Sequence, residues 1–527
     1  MPARRRQPFG GLVALTGAGL LAGLLAAGCT SPPPARPQPV AHPGTGAATH
    51  IAVPAGPGGA DVRAENARAG YPGWRITSPG QPQEIEGYTD HASALPGTVV
   101  RLFVSTTAAW FQVRALRFGW YGGTLARLVW TSAPIPGTRQ DAAVVQAHGM
   151  VVAPWRPSLA LPTAGWPPGS YLLRLDASSG AQRYVPLVIR SPSVAGRVVL
   201  VQPTTTYQAY NPWGGYDLYQ GPHHNSALRA RVVSFDRPYQ REDGAADFFA
   251  EEQPLLSYAE RLGLPLAYIS SVDLDLDPHV LDGARAVVSE AHDEYWSPRM
   301  RQVLTRARDR GVNLAFIGAN EIYRRIRLGS SPLGPDRIEV NYRNPREDPL
   351  SGIDNALVTA NWPDPPAADP ESSLTGQLYA CASPRAPLVV TDPRGWIWAG
   401  TGAGPGMSLP NLIGKEFDTV DLSEPTPRPI EILASSPQTC RGRAVSADVT
   451  YYVAASGAGV LNVGTEGWSC GLPTVAMVTN RCLTTSPPAT EVRVIERATR
   501  NILDTFARGP AGRVYPARDF LTGEVSH

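Results

Sequence analysis

The stretch His292-Asp-Glu-Tyr places a histidine and two carboxylates in one short segment of the chain. It follows a short apolar run, Ala284–Glu290, which predicts a strand buried on both faces, and it precedes Ser297-Pro298, a pair typical of a helix start. In open α/β sheets, ligands bind at the carboxyl ends of strands. His292 and Glu294 are therefore candidates for acid–base catalysis or for metal ligation. The alternative is a capped turn whose carboxylates only stabilise the helix dipole.

Further polar side chains follow three other predicted strands. They are Tyr207, Tyr210 and Asn211 after Val198–Val201, Asp273 after Leu266–Ile269, and Asn320 and Glu321 after Val312–Ile317. Because parallel strands end at the same edge of a sheet, these side chains are expected to converge. Carboxylate, phenol and imidazole groups offer mainly hard oxygen ligands, and phenolate oxygen suits a trivalent metal such as ferric iron. The chain has no GxSxG, HExxH or P-loop motif, which argues against serine hydrolases, zincins and NTPases.

The elements that would position these residues fall into two groups, which predict a multidomain fold, all-β followed by α/β. Residues 61–193 contain short runs of β-branched and aromatic residues separated by turns, a pattern typical of an immunoglobulin-like β-sandwich. In residues 194–527, strands alternate with helices, which predicts a mostly parallel sheet covered on both faces. From about residue 332 the periodicity is weak, and we expect long loops and extra strands before a final helix, Glu491–Arg508.

The first 60 residues are not expected to belong to this fold. Three arginines precede an apolar run, Leu12–Ala27, that is too short for a comfortable membrane span. Leu25-Ala-Ala-Gly-Cys29 resembles a bacterial lipobox, so residues 1–28 are interpreted as a lipoprotein signal peptide, with an ordinary secretory signal as the alternative. Residues 29–60 are rich in proline, alanine and glycine and read as a flexible tether. The sequence thus predicts an extracytoplasmic bacterial lipoprotein held at the cell membrane by a lipid on Cys29.

Charge and cysteine content limit the remaining possibilities. A net charge of +2, without any basic block, argues against nucleic acid as a partner. Besides Cys29, the chain has Cys381, Cys440, Cys470 and Cys482. An even number of cysteines in an exported protein favours disulfides, in any of three pairings. A zinc site is the alternative, but the spacings suit it poorly.

Five motifs of the chain occur together in one known family. They are Phe118-Gly-Trp-Tyr-Gly-Gly, Tyr207-Gln-Ala-Tyr-Asn-Pro-Trp-Gly-Gly, Ala291-His-Asp-Glu-Tyr-Trp-Ser, the segment 311–327 and Ile413-Gly-Lys-Glu-Phe-Asp. Over about residues 64–467 the chain resembles the large (beta) subunit family of N,N-dimethylformamidase. The resemblance implies a β-sandwich beside a Rossmann-like domain similar to class I glutamine amidotransferases. It also implies a mononuclear iron, Fe(III), held by two tyrosines and one glutamate, and hydrolysis of a small tertiary formamide.

Carried over residue by residue, the resemblance implies a set of site residues. Glu294 matches the carboxylate ligand, and Tyr210 matches one tyrosine ligand, with Tyr207 as its alternative. Tyr171, in the Gly-x-Tyr sequence at a strand start of the sandwich, is the candidate for the second tyrosine, whereas the residues around it, taken alone, predict a packed core tyrosine. The residues expected beside the metal in catalytic roles are His292, Asn320 and Glu416.

The function implied by the resemblance is hydrolysis of the C–N bond of a small amide, with a second copy of the chain or a small subunit as the expected protein partner. Two alternatives stay open on the residues alone. One is a metal-free surface protein that binds a glycan or peptide. The other is a metal enzyme of different chemistry on the same scaffold.

Overall fold

The computed structural model describes residues 49–50, 61–382, 385–474 and 488–519. The interpretations that concern Cys29, the signal peptide and Cys482 fall outside these residues. Within them, the protein is mainly β-sheet, with several separate sheets and few helices. This agrees with the expected β-rich multidomain class. Among the described helices, none is both long and apolar enough to cross a membrane.

Two largely antiparallel sheets form the first part of the chain. The larger runs in the order Thr49–His50, Ala126–Thr131, Trp110–Phe118, Gly169–Ala177, Gln182–Ile189 and Ser93–Ala94, with Ile135–Pro136 paired to Trp110–Phe118. The smaller runs in the order Leu159–Pro162, Val99–Thr106 and Ile85–Thr89. Alternate side chains of both sheets, such as Leu102 and Leu173, share one buried core, so the two sheets pack as a sandwich.

A seven-stranded sheet forms the centre of the rest of the chain. Its order is Leu266–Ser270, Val198–Gln202, Ala286–Ala291, Asn313–Gly318, Gly459–Asn462, Arg443–Val453 and Ile430–Cys440. The first five strands are parallel to one another. Arg443–Val453 pairs antiparallel with Gly459–Asn462, and Ile430–Cys440 pairs antiparallel with Arg443–Val453. Val198 pairs with Ala286, which confirms that the first two strands predicted around the candidate site belong to one sheet.

Helices cover both faces of this sheet. Gln253–Leu262, preceded by a π-helical turn at Phe248–Glu252, packs with Ala489–Phe506 on the face that carries Leu200 and Val288. Pro298–Asp309 packs on the opposite face, against alternate residues of the same strands. That helix begins as the sequence predicts, because the Ser297 hydroxyl accepts a hydrogen bond from the Met300 amide at 3.1 Å. The shorter helices are Val62–Asn66, Thr204–Ala209, Ser271–Leu276 and Ser372–Thr375.

Small sheets surround the central one. They are Val232–Ser234 with Gly334–Val340 and Arg327–Ser331; Tyr295–Trp296 with Arg324–Arg325 and Ala360–Asn361; Leu378–Ala382 with Glu416–Thr419; Ala386–Val389 with Ser408–Ile413; and Val144–Val145 with Val151–Val152. A disulfide joins Cys381 to Cys440, which confirms one of the predicted pairings and ties Leu378–Ala382 to the end of Ile430–Cys440.

The buried carboxyl of Glu371, near this small sheet, makes the free energy of unfolding depend on pH. One oxygen accepts a hydrogen bond from the Tyr379 backbone amide at 3.0 Å, and the other has no hydrogen-bond partner within the described residues. Burial raises the pKa of Glu371 from 4.5 to about 8. Between these values the folded protein holds a proton that the unfolded chain has released. The folded state therefore loses stability as the pH rises through this window, by a few kcal/mol at most.

We expect Glu371→Gln to reduce this pH dependence, because an amide keeps the acceptor for Tyr379 and never ionises. The measurement is the melting temperature of both proteins at pH 5.5 and pH 8.5, and the advantage of the variant should grow toward pH 8.5. Glu424→Gln, which changes an exposed carboxylate, is the control and should follow the wild type. An identical pH dependence in wild type and Glu371→Gln would contradict the prediction.

Candidate functional site

Three side-chain oxygens meet beyond the carboxyl edge of the central sheet. The Glu294 Oε2 accepts hydrogen bonds from the Tyr210 hydroxyl at 2.7 Å and from the Tyr219 hydroxyl at 2.7 Å. The two hydroxyl oxygens also lie within hydrogen-bond distance of one another, and their rings stack with centroids 4.3 Å apart. Tyr219 was not among the site residues predicted from the sequence. Two phenols and one carboxylate are thus held around a single point.

Three segments bring these oxygens together. Tyr210 ends the helix Thr204–Ala209, which follows a central strand. Glu294 lies in the turn after the neighbouring strand, and its amide donates to the Thr206 hydroxyl at 3.0 Å. Tyr219 lies in an irregular segment that is fixed because the Leu218 amide donates to the Ala209 carbonyl at 3.0 Å. The hydrogen bonds therefore join the helix, the turn and the irregular segment into one frame.

Glu294 is the anion of the cluster. Burial alone would raise the pKa of Glu294, but the hydrogen bond from His292 and the nearby Arg324 guanidinium outweigh burial and hold that pKa well below its usual value. Arg324 Nε donates to the other carboxylate oxygen at 2.9 Å. Burial and the Glu294 charge raise the pKa values of Tyr210 and Tyr219 well above those of free phenols. Without a metal, the cluster is therefore one carboxylate with two neutral phenol donors.

His292 links this cluster to a second group of acids. Its Nε2 lies 3.2 Å from the Tyr210 hydroxyl, and its Nδ1 lies 3.3 Å from the Ala319 carbonyl oxygen. The Nδ1 is also 3.4 Å from Glu466 Oε1 and 3.7 Å from Glu416 Oε2. Burial would lower the pKa of His292, but the surrounding carboxylates raise it well above the usual value. The imidazole is therefore held in its charged form.

Asn320 and Glu416 lie on the far side of His292. The side-chain Nδ2 of Asn320 donates to Glu416 Oε2 at 2.7 Å. The backbone amide of Asn320 donates to Asp418 Oδ1 at 2.7 Å. Asn320 has φ of +58°, in the left-handed region that asparagine tolerates better than most residues. Its Oδ1 is buried and has no hydrogen-bond partner among the residues that the structure describes. The structure thus brings together His292, Asn320 and Glu416, while their catalytic roles stay predictions.

Tyr171 is not part of this cluster, which corrects the expectation that it reaches the metal beside Glu294. Its ring is fully buried in the sandwich core and stacks on Trp166 with centroids 5.4 Å apart. Its hydroxyl donates to the Pro167 carbonyl at 2.7 Å. Tyr171 faces the sandwich core because alternate side chains of the strand Gly169–Ala177 lie on the same face. Tyr171 therefore shares the buried face of Leu173.

Tyr207, the alternative to Tyr210, also faces elsewhere. Its hydroxyl donates to Glu252 Oε2 at 2.6 Å, so it does not reach Glu294. Tyr210 is therefore the residue of this helix that joins the cluster.

A second set of donors could hold a metal ion. His292, Glu416 and Glu466 each offer one ligand atom, and these atoms lie within 4.8 Å of one another. Glu466 Oε1 is buried and accepts no hydrogen bond from the described part of the chain, whereas Glu466 Oε2 lies 3.2 Å from the Lys415 ammonium. The described site thus contains a Tyr/Tyr/Glu set and a His/Glu/Glu set. His292 belongs to the second set and contacts the first through Tyr210.

Residues 112–482 match the family described as N,N-dimethylformamidase beta subunit-like, C-terminal. The chain belongs to this family. The matched segment contains every residue of the two donor sets, so the dimethylformamidase-like family and the observed cluster cover the same part of the chain. Membership in this family suggests a hydrolase that resembles dimethylformamidase.

Curated proteins and solved structures give no further relative that bears on the function of the chain. No curated protein matches the chain. Among solved structures, a similar one is a Paenibacillus sp. cycloisomaltooligosaccharide glucanotransferase complexed with cycloisomaltoheptaose, at 12% identity and a TM-score of 0.14. The match covers 35% of this chain and only 27% of the glucanotransferase chain.

Proposed function

We propose that this protein hydrolyses the C–N bond of a small amide at a mononuclear iron(III) held by Tyr210, Tyr219 and Glu294. The observation that carries the proposal is the meeting of two phenol oxygens and one carboxylate oxygen at a single buried point. Tyr219 takes the place that the sequence analysis gave to Tyr171. The family match supports the reaction class, since it suggests a hydrolase resembling dimethylformamidase.

The donor set fits a trivalent cation. Glu294 is already ionised, and a metal that displaced the two phenol protons would meet three anionic oxygens. Such hard oxygen donors suit ferric iron. When bound, the metal acts as a Lewis acid that polarises a carbonyl oxygen and acidifies water.

The surrounding side chains can bind the substrate and move its proton. Asn320 and Glu416 are joined by a 2.7 Å hydrogen bond, so an amide donor and a carboxyl group lie side by side. Asn320 can donate to the carbonyl oxygen of the substrate as that oxygen gains charge. Burial, together with the Glu466 carboxylate, raises the pKa of Glu416 despite the charge of His292. Glu416 is thus a candidate to carry a proton to the leaving amine.

Glu416→Gln should separate proton transfer from metal binding. We expect the variant to lose about 100-fold or more in the hydrolysis rate of a small formamide, because the amide cannot donate the proton. Its iron content should equal that of the wild type, because Glu416 contacts none of the three proposed ligands by a hydrogen bond among the described residues. Amide hydrolysis by the iron-loaded protein, with metal analysis of each sample, is the measurement. Full activity in the variant would show that Glu416 does not transfer the proton. A wild type that hydrolyses no small amide would contradict the proposed reaction itself.

The His292, Glu416 and Glu466 set is the competing position for the metal, since its ligand atoms also converge. Glu466→Gln distinguishes the two positions. If the metal lies on the tyrosines, the variant keeps stoichiometric iron and Tyr219→Phe loses it. The opposite pattern would place the metal on the His/Glu/Glu set.

The setting of the enzyme is also part of the proposal. We infer export and anchoring through Cys29, a sandwich domain over residues 61–193 and a Rossmann-like domain over residues 194–527. The family description names a beta subunit, which supports a partner subunit. Fractionation of cells that express wild type or Cys29→Ala tests the anchor: the wild type should sediment with membranes and the variant should not.

A further inference from the structure

Arg343 is stacked on one of the two tyrosines of the cluster. Its guanidinium carbon lies 3.8 Å from the centroid of the Tyr219 ring. One terminal nitrogen donates to the Tyr295 hydroxyl at 3.2 Å, and the buried Nε has no hydrogen-bond partner. Among the described residues, no carboxylate forms an ion pair with Arg343. A guanidinium is thus held in a largely enclosed position with an aromatic face as its main neighbour.

The backbone around Arg343 is fixed in an unusual conformation. Arg343 has φ of +60°, which non-glycine residues adopt rarely. The preceding residue is anchored because the Tyr342 amide donates to the Thr359 hydroxyl at 2.9 Å, and the following amide, of Asn344, donates to the Tyr342 carbonyl at 2.6 Å. Strained residues persist where the surrounding structure determines them, and they concentrate at functional sites.

The two other arginines beside the cluster are already paired with carboxylates. Arg324 pairs with Glu294 at 2.9 Å. Arg241 lies over the Tyr210 ring at 5.2 Å, but its guanidinium pairs with Asp247 at 2.7 Å. Arg343 is therefore the arginine of this cluster that forms no ion pair with a carboxylate within the described residues; the Glu294 charge also acts on it, but without direct contact.

We propose that Arg343 is a positioning residue that balances the negative charge of the Tyr219 phenolate when a trivalent metal is bound. This inference rests on the proposed function. With a metal bound, Tyr219 would hold it through its phenolate oxygen, the phenol proton would pass to water, and the charge remaining on the ring would face the guanidinium. A cation over a desolvated aromatic ring is strongly stabilising, and more so when the ring is anionic. Arg343 does not touch the substrate or the metal in this account.

The test uses the full chain loaded with iron(III), with Arg343→Gln and Arg343→Lys compared with the wild type. We expect Arg343→Gln to bind iron about tenfold or more weakly in competition with a chelator. Its phenolate-to-iron absorption band should move to longer wavelength, because the electron donor is no longer stabilised by a nearby cation. Arg343→Lys keeps the charge and should restore most of the affinity and of the band position.

Two further variants serve as controls. Arg241→Gln removes a guanidinium that already has a carboxylate partner, so it should shift the band less than Arg343→Gln. Arg301→Gln removes an arginine stacked at 4.4 Å on Trp362 in another part of the structure, and it should leave the band unchanged. Thermal unfolding of each metal-free protein reports any loss of fold separately from the band.

The possible outcomes distinguish this inference from the proposed function. A coloured wild type whose band and affinity are unchanged in Arg343→Gln overturns the role of Arg343 and leaves the tyrosine ligands in place. An Arg343→Lys protein with iron binding as weak as Arg343→Gln also overturns the role, because charge would then not be the cause. A colourless wild type with stoichiometric iron overturns both the inference and the tyrosine ligation.

Discussion

Tyr219→Phe is expected to lose iron and to lower amide hydrolysis by at least 100-fold while the fold is retained. The Tyr219 hydroxyl is one of three oxygens that meet in the cluster, and phenylalanine removes it without changing the ring that packs on Tyr210. In the metal-free protein the change deletes only hydrogen bonds, which costs about 1–2 kcal/mol of the free energy of unfolding. Metal analysis, activity and the melting temperature should be measured on the same sample.

Tyr171→Phe is the matched control for this substitution. Its hydroxyl bonds to the Pro167 carbonyl within the sandwich core, so the variant should lose about 1 kcal/mol of stability and no iron. Should Tyr171→Phe lose iron while Tyr219→Phe keeps it, the ligand set proposed from the structure would be wrong and the one implied by the sequence motifs would be right.

The second large effect is expected for Glu294→Gln. The carboxylate accepts hydrogen bonds from Tyr210, Tyr219 and Arg324, and it is 1% exposed. The variant should lose both iron and activity. Because it also leaves the Arg324 guanidinium without its buried partner, we expect a cost on the order of 3 kcal/mol in the free energy of unfolding. A carboxylate that served only the helix dipole would contribute about 0.3–1 kcal/mol and no activity.

Glu347→Gln provides the comparison for this effect. Glu347 pairs with Arg231 at 3.0 Å at the protein surface, and the pair should contribute at most about 1 kcal/mol. Iron binding should be unaffected in this control. Full iron occupancy in Glu294→Gln, together with a stability loss as small as that of Glu347→Gln, would support the capped-turn interpretation instead.

Residues placed directly after central strands could be predicted from the sequence. His292, Glu294 and Asn320 follow short apolar runs, and parallel pairing of those strands brings their carboxyl ends to one edge. Glu416 came from a motif resemblance alone, since it lies on a strand outside the central sheet.

Tyr219 could not be predicted by the same reasoning. It lies in an irregular segment whose position depends on single hydrogen bonds, such as that from the Leu218 amide to Ala209, and such bonds leave no periodic pattern in the sequence. Tyr171 was selected as a ligand through the resemblance alone, on a short Gly-x-Tyr sequence, whereas its own surroundings in the sequence predicted a packed core tyrosine. A period of two assigns Tyr171 to the core together with Leu173.

The C-terminal strands of the central sheet were also difficult to predict. Gly459–Asn462 has only four residues, although it is buried and pairs in parallel with Asn313–Gly318. The hairpin of Ile430–Cys440 and Arg443–Val453 ends in exposed polar residues, so its hydrophobic pattern is interrupted before the turn. Extra strands were expected in this region. Their place in the main sheet could not be predicted, because it depends on pairing between distant segments, which leaves no local pattern in the sequence.

The visible absorption spectrum of the wild-type protein loaded with one equivalent of iron(III) tests the central claim most directly. Phenolate bound to ferric iron absorbs visible light by charge transfer, so ligation by Tyr210 and Tyr219 predicts a coloured protein. The band should be lost in Tyr210→Phe and Tyr219→Phe together with the iron, and it should be unchanged in Tyr171→Phe. A colourless protein that contains stoichiometric iron would contradict ligation by the two tyrosines.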